Sequence, residues 1–289
     1  SEDVSNKKYS YTEEQNLFLE SLGWAGFEPS FIKATSLKDN LHVIFGYGGN
    51  ILVSIGKDGT LIVDSQFPDS SSAILEKINE LGGEKVDFVI NTHFHFDHAE
   101  GNRAYGPMGA DIYAHENTLD YFRKGAYINL VDIGWLQQPY EKEAIPNILY
   151  KEKLTLEIND HVVDVMHFGP AHTTGDSIIF FKDANVIHLG DIGNLDNAPF
   201  IDVDNGGTID GTTIATSDIT VGAGKTIDVS AGTLTLADDQ ISGDKISGGT
   251  IGSVTISQLG GAMDCNNSII ELIFSSASGN CLHKEYNSS

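Results

Sequence analysis

The sequence is poor in cysteine, in basic residues and in long apolar runs. Only Cys265 and Cys281 are present among 289 residues; they could form one bridge, but a disulfide-based scaffold is excluded. No apolar run approaches the roughly 20 residues that a membrane-spanning helix needs, so we expect no membrane partner. Lysine and arginine number 17 against 41 aspartate and glutamate, a formal net charge of −24. Because such a chain repels phosphate backbones and has no basic patch, we expect no nucleic acid partner.

The remaining composition is that of a folded protein. Hydrophobic residues make up 40% of the chain and charged residues 20%, which excludes wholesale disorder. A chain of this length forms one large domain or two. The chain begins with Ser1, and residues 1–11 contain no apolar core of a signal peptide. Localisation therefore stays open, with an extracytoplasmic or periplasmic location slightly favoured.

The composition changes sharply near residue 205. From Val203 to Met263 the sequence contains no aromatic residue, histidine, arginine, proline or cysteine. Apolar residues alternate with polar ones there, as at Ile219 and Val221, and Gly and Asp separate the runs. This pattern predicts short strands stacked in a solenoid or fibre, or else a flexible low-complexity linker.

Before this change, strand-like apolar runs alternate with helical spacing, which predicts mixed α and β structure. Ile74, Ile78 and Leu81 share one helix face, so we predict a helix over residues 70–81. A second short helix is predicted from Ala99 onward. The predicted strands are residues 41–45, 51–55, 61–63, 86–90, 112–114, 154–158, 162–166, 177–181 and 186–189.

A cluster of metal-ligand residues directly follows one predicted strand. Residues 93–98 include three imidazoles and one carboxylate. His93 and His95, two apart on an extended loop, present both rings to one side, while Asp97 and His98 at the next turn can face a second point nearby. Neutral imidazole and carboxylate are ligands that zinc prefers, so the cluster predicts a zinc site. The alternative is a solvated polar turn with chance histidines.

Two later residues are further candidates for ligands. His172 lies in a turn between two predicted strands, and Asp191 follows the end of the last one. Loops at strand ends are where α/β scaffolds commonly build sites. Each residue alone could instead be structural, as a loop histidine or a turn-capping aspartate, but their order after the cluster favours ligation.

In this order the candidate ligands resemble the motifs of the metallo-β-lactamase superfamily of zinc hydrolases. The six residues that carry the resemblance are His93, His95, Asp97, His98, His172 and Asp191. Residues 48–50, 61–64 and 99–102 also look like the N-terminal half of that family. The resemblance covers about residues 35–211 and implies an α+β fold, an αββα sandwich with a two-metal site on its edge.

The resemblance also implies which residues bind each metal. The first zinc ion would be bound by His93, His95 and His172. The second would be bound by Asp97 and His98, with Asp191 bridging the two ions. Aspartate in the bridging position is similar to glyoxalase-type hydrolases rather than to zinc β-lactamases that use cysteine there. Asp97 would act in catalysis by orienting a metal-bound hydroxide, which attacks an ester, thioester or lactam-type carbonyl.

The resemblance does not extend over the whole chain. The family normally supplies one more second-site histidine in a late Gly-His loop, whereas the one later histidine here, His283, stands in a different context. The C-terminal part instead resembles phage tail-fibre repeats. We therefore predict a chimera of an N-terminal extension at 1–34, a C-terminally incomplete hydrolase domain at 35–211 and a β-rich tail at 212–289. With six ligands of an expected seven, the second zinc should bind more weakly.

Three functions follow from these patterns. The leading hypothesis is a zinc-dependent hydrolase of a small-molecule substrate, with activity that the incomplete domain could impair. The second is a phage-fibre-like structural or adhesive protein, whose tail forms a homo-oligomer and whose head is an inactive metal-binding passenger. The third is a metal-binding domain without catalysis.

Several other residues have weaker claims to the site. Asp176 could accept a hydrogen bond from a ligand imidazole or could be a turn residue. His167 could be a proton donor, a pocket wall or a structural residue. Structural roles are expected for His42, His115, His161 and His188. Residues that could line a pocket or belong to the core are Phe94, Trp135 and Tyr140.

Overall fold

The computed structural model describes residues 9–130, 133–193 and 200–207. Within these ranges the strands are, in chain order, β1 (Lys33–Lys38), β2 (Leu41–Phe45), β3 (Ile51–Gly56), β4 (Gly59–Val63), β5 (Phe88–Ile90), β6 (Asp111–His115), β7 (Ala126–Leu130), β8 (Ile133–Gln137), β9 (Ile148–Tyr150), β10 (Lys153–Ile158), β11 (His161–Met166), β12 (Ile178–Phe181) and β13 (Val186–His188). The α-helices are α1 (Glu13–Ser21), α2 (Ser71–Glu80), α3 (Phe96–Ala99), α4 (Asn102–Tyr105) and α5 (Leu119–Lys124). The predicted tail, and with it the predicted homo-oligomer, falls on residues outside these ranges.

The larger sheet positions the ends of its parallel strands next to one another. In the described residues it has seven strands in the order β1-β2-β3-β4-β5-β6-β9. β1 to β4 pair in antiparallel fashion, whereas β4, β5, β6 and β9 pair in parallel. The parallel pairing is possible because long crossovers join these strands: α2 lies between β4 and β5, α3 and α4 between β5 and β6, and α5 with the β7–β8 hairpin between β6 and β9. The carboxyl ends of β4 and β5 therefore lie side by side, and the loops that leave them meet.

A smaller antiparallel sheet, β10-β11-β12-β13, packs against one face of the larger sheet. The strands of both sheets contribute buried aliphatic side chains to the core between them, because alternate residues of a strand point to the same face. From the larger sheet these are Leu41, Leu52, Leu61, Val63 and Ile90. From the smaller sheet they are Val163, Val165, Ile179 and Phe181.

The other face of the larger sheet is covered by helices and by the β7–β8 hairpin. Ile62 and Val89 of the sheet share this second core with Ile74 and Ile78 of α2, as the helical spacing predicts. Every described helical residue of the hydrophobic core lies on this side. The outer helical layer of the predicted αββα sandwich, and the predicted incompleteness of the domain, would fall on residues that the structure does not describe.

An aromatic cluster anchors α3 and the N-terminal segment. Phe96, the first residue of α3, stacks on Trp135 of β8 with ring centroids 4.5 Å apart. Phe18 of α1 meets Phe96 edge to face at 5.3 Å. Such pairs add about 1 kcal/mol each beyond the area they bury. Residues of the predicted N-terminal extension thus belong to the main core.

Most predicted elements agree with the structure, and the disagreements have local causes. The predicted helix at 70–81 is α2, and each predicted strand overlaps an observed one. The sequence analysis missed α1, although Thr12 and Gln15 form a capping box there that could have indicated it. It also missed β1, α5, the β7–β8 hairpin and β9. Among the described residues no helix combines the length and the apolarity needed to cross a membrane.

Candidate metal centre

The predicted ligands come together where the parallel strands of the larger sheet end. The loop after β5 and the first turn of α3 carry four of them, the β11–β12 loop carries one, and the turn after β13 carries the last. They are His93, His95, Asp97, His98, His172 and Asp191. Two overlapping sets have ligand atoms that all lie within 4.8 Å of one another. The first set is His93, His95 and His172, and the second is His93, His98 and Asp191.

Asp97 lies beside the second set without belonging to it. Its Oδ2 is 3.7 Å from Nε2 of His98. Its backbone carbonyl accepts a hydrogen bond from Gly49 N–H at 3.1 Å. Burial raises the pKa of the Asp97 carboxyl. The roles predicted for Asp97 as a ligand and in catalysis therefore stay predictions.

Hydrogen bonds aim one nitrogen of His95 and one of His172 at each other. Nε2–H of His95 donates to Oδ2 of Asp202 at 2.8 Å, and Nδ1–H of His172 donates to the backbone carbonyl of Phe200. With these tautomers, which the acceptors require, Nδ1 of His95 and Nε2 of His172 are both lone-pair acceptors. They lie 3.0 Å apart. Two ligands of a tetrahedral zinc ion, each about 2.0–2.1 Å from it, are separated by about 3.3 Å, so this pair fits zinc.

Asp64 orients the other two histidines. Its Oδ2 accepts hydrogen bonds from Nδ1–H of His98 at 2.7 Å and from the Thr92 hydroxyl at 2.9 Å. That hydroxyl oxygen accepts in turn from Nδ1–H of His93 at 3.0 Å. Nε2 of His93 is therefore left facing the centre, buried and without a hydrogen bond, whereas Nε2 of His98 faces the centre beside Asp191. A buried orphaned nitrogen costs about 1–3 kcal/mol, which a coordinated cation would remove.

The charges of the second set favour a cation. Burial lowers the pKa of His98, but the carboxylates of Asp191, Asp97 and Asp64 together outweigh it and hold that pKa well above its usual range. Nε2 of His98 lies 3.1 Å from Oδ1 of Asp191. Burial lowers the pKa of His93 and brings that of His95 down to about 4, so these two rings are neutral at pH 7. The first set thus offers lone pairs, and the second offers a charged pair whose proton a metal would replace.

Gly48 and Gly49 allow the β2–β3 loop to approach α3 closely. A Cβ at Gly49 would lie 2.3 Å from Cε1 of His98, and a Cβ at Gly48 would lie 2.5 Å from the backbone oxygen of Asp97. Gly48 also has φ of +82°, a conformation that other residues rarely adopt. These contacts explain why glycine is needed at both positions of the 48–50 motif.

The weaker candidates lie beside the centre or in the core. Asp176 accepts hydrogen bonds from the backbone and hydroxyl of Thr173, as a turn residue does. His167 stacks on His115 with centroids 3.7 Å apart and donates Nδ1–H to the backbone carbonyl of Asp176. His188 bonds to the carbonyl of Asn50. The aromatic residues Phe94, Trp135 and Tyr140 are buried in the core.

Sequence reasoning assigned no role to Asp64, Thr92 or Asp202. Asp64 ends the family-like motif at residues 61–64, which was the available signal for it. Nothing in the spacing indicates that either carboxylate bonds to a histidine, because Asp202 is 107 residues from His95 and Asp64 is 34 residues from His98.

The chain is similar to a known protein family and to two curated proteins. The family model described as "Metallo-beta-lactamase superfamily" matches residues 45–221. A probable metallo-hydrolase of Methanocaldococcus jannaschii is 23% identical over 141 residues, which cover 48% of this chain and 66% of that protein. A hydroxyacylglutathione hydrolase of a Synechococcus strain is 30% identical over 126 residues, which cover 43% of this chain and 41% of that protein. The chain thus spans less than two thirds of the length of either curated relative.

A solved structure with a similar chain path is the DIM-1 metallo-beta-lactamase. It is 19% identical to this chain and superposes with a TM-score of 0.46. The superposition covers 57% of this chain and 72% of that one.

Proposed function

Because the chain belongs to the metallo-beta-lactamase superfamily, we propose that it is a zinc-dependent hydrolase of a small molecule with an ester, thioester or lactam-type carbonyl. The superfamily predicted from the motifs is confirmed, and so is a mixed α/β fold with a metallo-beta-lactamase-like core. The phage-fibre-like tail and the chimera stay predictions, since they fall on residues that the structure does not describe. The alternative of a fibre protein with an inactive head depends on the same residues.

The proposal rests above all on one observation, the 3.0 Å separation of Nδ1 of His95 and Nε2 of His172. Each ring donates the N–H of its other nitrogen to an oxygen, so a cation between the two lone pairs would remove their repulsion. The orphaned Nε2 atom of His93 supports the same conclusion. When bound, zinc would act as a Lewis acid that polarises a carbonyl and lowers the pKa of a coordinated water to about 7.

The two ligand sets would differ in affinity. Both need Nε2 of His93, because its Nδ1 is occupied by the hydrogen bond to Thr92. If the first zinc takes that atom, the second is left with His98, Asp191 and the neighbouring Asp97. This shared ligand supports a second ion that binds more weakly, as the missing seventh ligand also suggests.

The chain's own residues would bind and orient the reactants. Asp97 and Asp191 line a cavity together with His95 and His172. A carbonyl bound in that cavity would lie beside the Asp97 carboxylate, which we propose orients the attacking water. Asp202 and the carbonyl of Phe200 hold the His95 and His172 rings, so that their ligand nitrogens need no rearrangement.

Metal content and turnover test the proposal together. The full chain is purified, its zinc is measured by mass spectrometry, and turnover of a p-nitrophenyl ester, a thioester and a chromogenic cephalosporin is recorded. We expect at least one substrate class to be turned over, a loss of at least a hundredfold after dialysis against a chelator, and recovery with zinc. Unchanged turnover by zinc-free protein would overturn the proposal. Zinc-loaded protein that turns over none of the three would favour the metal-binding domain without catalysis.

A further inference from the structure

A cavity of about 200 Å³ opens beside the candidate metal centre. On one side it is lined by the polar residues His95, Asp97, His172 and Asp191. The rest of its described lining is apolar and consists of Phe18, Leu22, Trp24, Phe96, Ile128 and Phe200. Small-molecule sites combine a few convergent polar groups with an apolar wall in this way.

The N-terminal segment supplies half of the apolar lining. Phe18 and Leu22 lie in and directly after α1, and Trp24 follows two residues later. This segment precedes the range matched by the family model, which begins at residue 45. Half of the apolar lining therefore lies outside the matched range, in the N-terminal segment of residues 9–34.

The core holds this wall in a defined position. Phe18 is 3% exposed and meets Trp135 edge to face at 5.5 Å. Gln15 donates its side-chain amide to the carbonyl of Leu136 at 3.0 Å, which ties α1 to the β7–β8 hairpin. Leu22, by contrast, is 41% exposed, so it leaves apolar surface open at the mouth of the cavity. An apolar group that enters the cavity would cover that surface.

The part of the lining that the structure describes offers no basic side chain to an anionic group. No lysine or arginine is among the described residues that line the cavity. The buried Arg103 is held by Glu100 at 2.7 Å and Glu141 at 2.6 Å, away from the cavity. Even with the charges of Asp97 and Asp191 offset by bound zinc, the apolar wall would leave a substrate carboxylate desolvated and unpaired. The chain's net charge of −24 also disfavours the approach of anions.

We propose that the N-terminal segment makes this site selective for esters or lactones whose acyl group is neutral and apolar. The reaction adds water across the acyl carbon–oxygen bond: the hydroxyl goes to the acyl carbon and the proton to the departing alkoxide. The assignment of hydrolysis rests on the proposed function, whereas the preference for a neutral apolar group rests on the cavity lining alone.

Three esters with one leaving group test the preference. They are p-nitrophenyl acetate, p-nitrophenyl butyrate and mono-p-nitrophenyl succinate, and the last two differ in whether the four-carbon acyl chain ends in methyl or carboxylate. With the zinc-loaded full chain we expect kcat/KM for butyrate to exceed that for acetate by about fifteenfold, since each of its two additional buried methylenes contributes about fourfold. We expect butyrate to exceed succinate by at least tenfold.

A matched pair of lysine substitutions locates the preference. Leu22→Lys introduces a cation at the mouth of the cavity and should narrow the butyrate-to-succinate ratio about tenfold. Leu17→Lys is the control, because Leu17 is exposed on the same helix and is not part of the lining. It should leave the ratio unchanged. A wild-type ratio near one, or equal ratios in the two variants, would overturn the inference while leaving the proposed function intact.

A binding measurement separates the two proposals if no ester is hydrolysed. The zinc-free full chain is titrated with N-butylacetamide and with succinamate, and binding is followed by the fluorescence of Trp24, with a Trp24→Phe variant to identify the signal. We expect the neutral amide to bind at least tenfold more tightly than the anion, and Leu22→Lys to reduce that ratio. That result, without turnover of any ester, thioester or cephalosporin, would overturn the hydrolase proposal alone. Equal binding of the two probes would overturn the pocket inference.

Discussion

Nδ1 of His95 and Nε2 of His172 face each other at 3.0 Å inside a buried site. Each ring already donates its other N–H to an oxygen, so the facing nitrogens are the two that a metal ion could bind. The arrangement is unfavourable by itself and becomes favourable with a cation between the rings. Metal binding and folding should therefore be coupled in this protein.

Two alanine substitutions should separate the ligand sets. His95→Ala removes a nitrogen of the first set, so we expect it to lower zinc occupancy strongly. Asp191→Ala removes a ligand of the second set alone and should affect mainly the second ion. Mass spectrometry of the metal content checks both. Equal retention of both ions in either variant would contradict the ligand assignment.

Removing the carboxylate of Asp64 should loosen metal binding without a substitution at any ligand. Asp64→Asn deprives Thr92 or His98 of its acceptor, and the loss of such a partner typically costs 10- to 100-fold in metal affinity. Competition with a chromogenic zinc chelator measures this. Asp164→Asn is the control, because Asp164 is equally buried but binds Lys153 and Lys182 in the smaller sheet. Its zinc affinity should match that of wild type.

Zinc uptake should release a proton from His98. The three neighbouring carboxylates raise the pKa of His98 well above its usual range, so the metal-free ring is protonated at pH 7. Calorimetry at pH 7 in buffers of different ionisation enthalpy should give about one proton more for wild type than for His98→Gln. Because protons compete for this ligand, zinc affinity should fall as the pH is lowered from 8 to 6. If wild type and His98→Gln release the same number of protons, the metal does not displace a proton from His98.

Zinc should stabilise the fold. At a free zinc concentration of 100 times Kd, one site that binds only the native state adds about 2.7 kcal/mol to the free energy of unfolding. Urea titrations with zinc and with a chelator measure this difference, and His95→Ala should lose most of it. If the urea concentration at the midpoint of unfolding of the wild-type protein is the same with and without zinc, the coupling inferred from the facing imidazoles is contradicted.

Asn159 should contribute to the stability of the fold without affecting zinc binding. Its side chain accepts from the backbone of Asp58 at 3.0 Å and donates to the carbonyl of Gly59 at 2.9 Å, so it joins two hairpin turns. Asn159→Gly tolerates the local φ of +51° but orphans these groups, at a cost of about 3 kcal/mol. Lys57→Ala, in an exposed ion pair of the same turn, should change stability by less than about 1 kcal/mol. Zinc content should be unchanged in both.

Local sequence patterns predicted those helices and strands whose structure is determined by residues close together in the sequence. The helical spacing of Ile74 and Ile78 and the apolar runs of the central strands each encode a buried face directly. The missed β7–β8 hairpin differs in this respect. The β7–β8 hairpin is stabilised by the packing of Trp135 against Phe96, and periodicity within five residues cannot show such a remote partner.

The sequence by itself determined the chemistry of the candidate site, because imidazole and carboxylate spacing after a strand is a local property of His93 to His98. Only the tertiary structure decided which nitrogen each ring presents. That choice depends on acceptors such as Asp202, which lies 107 residues from His95. It also decided that Phe18 and Trp24, far from any ligand in sequence, line the cavity. Hydrogen bonds and apolar contacts act over a few ångströms, so their partners are chosen by the fold and not by separation along the chain.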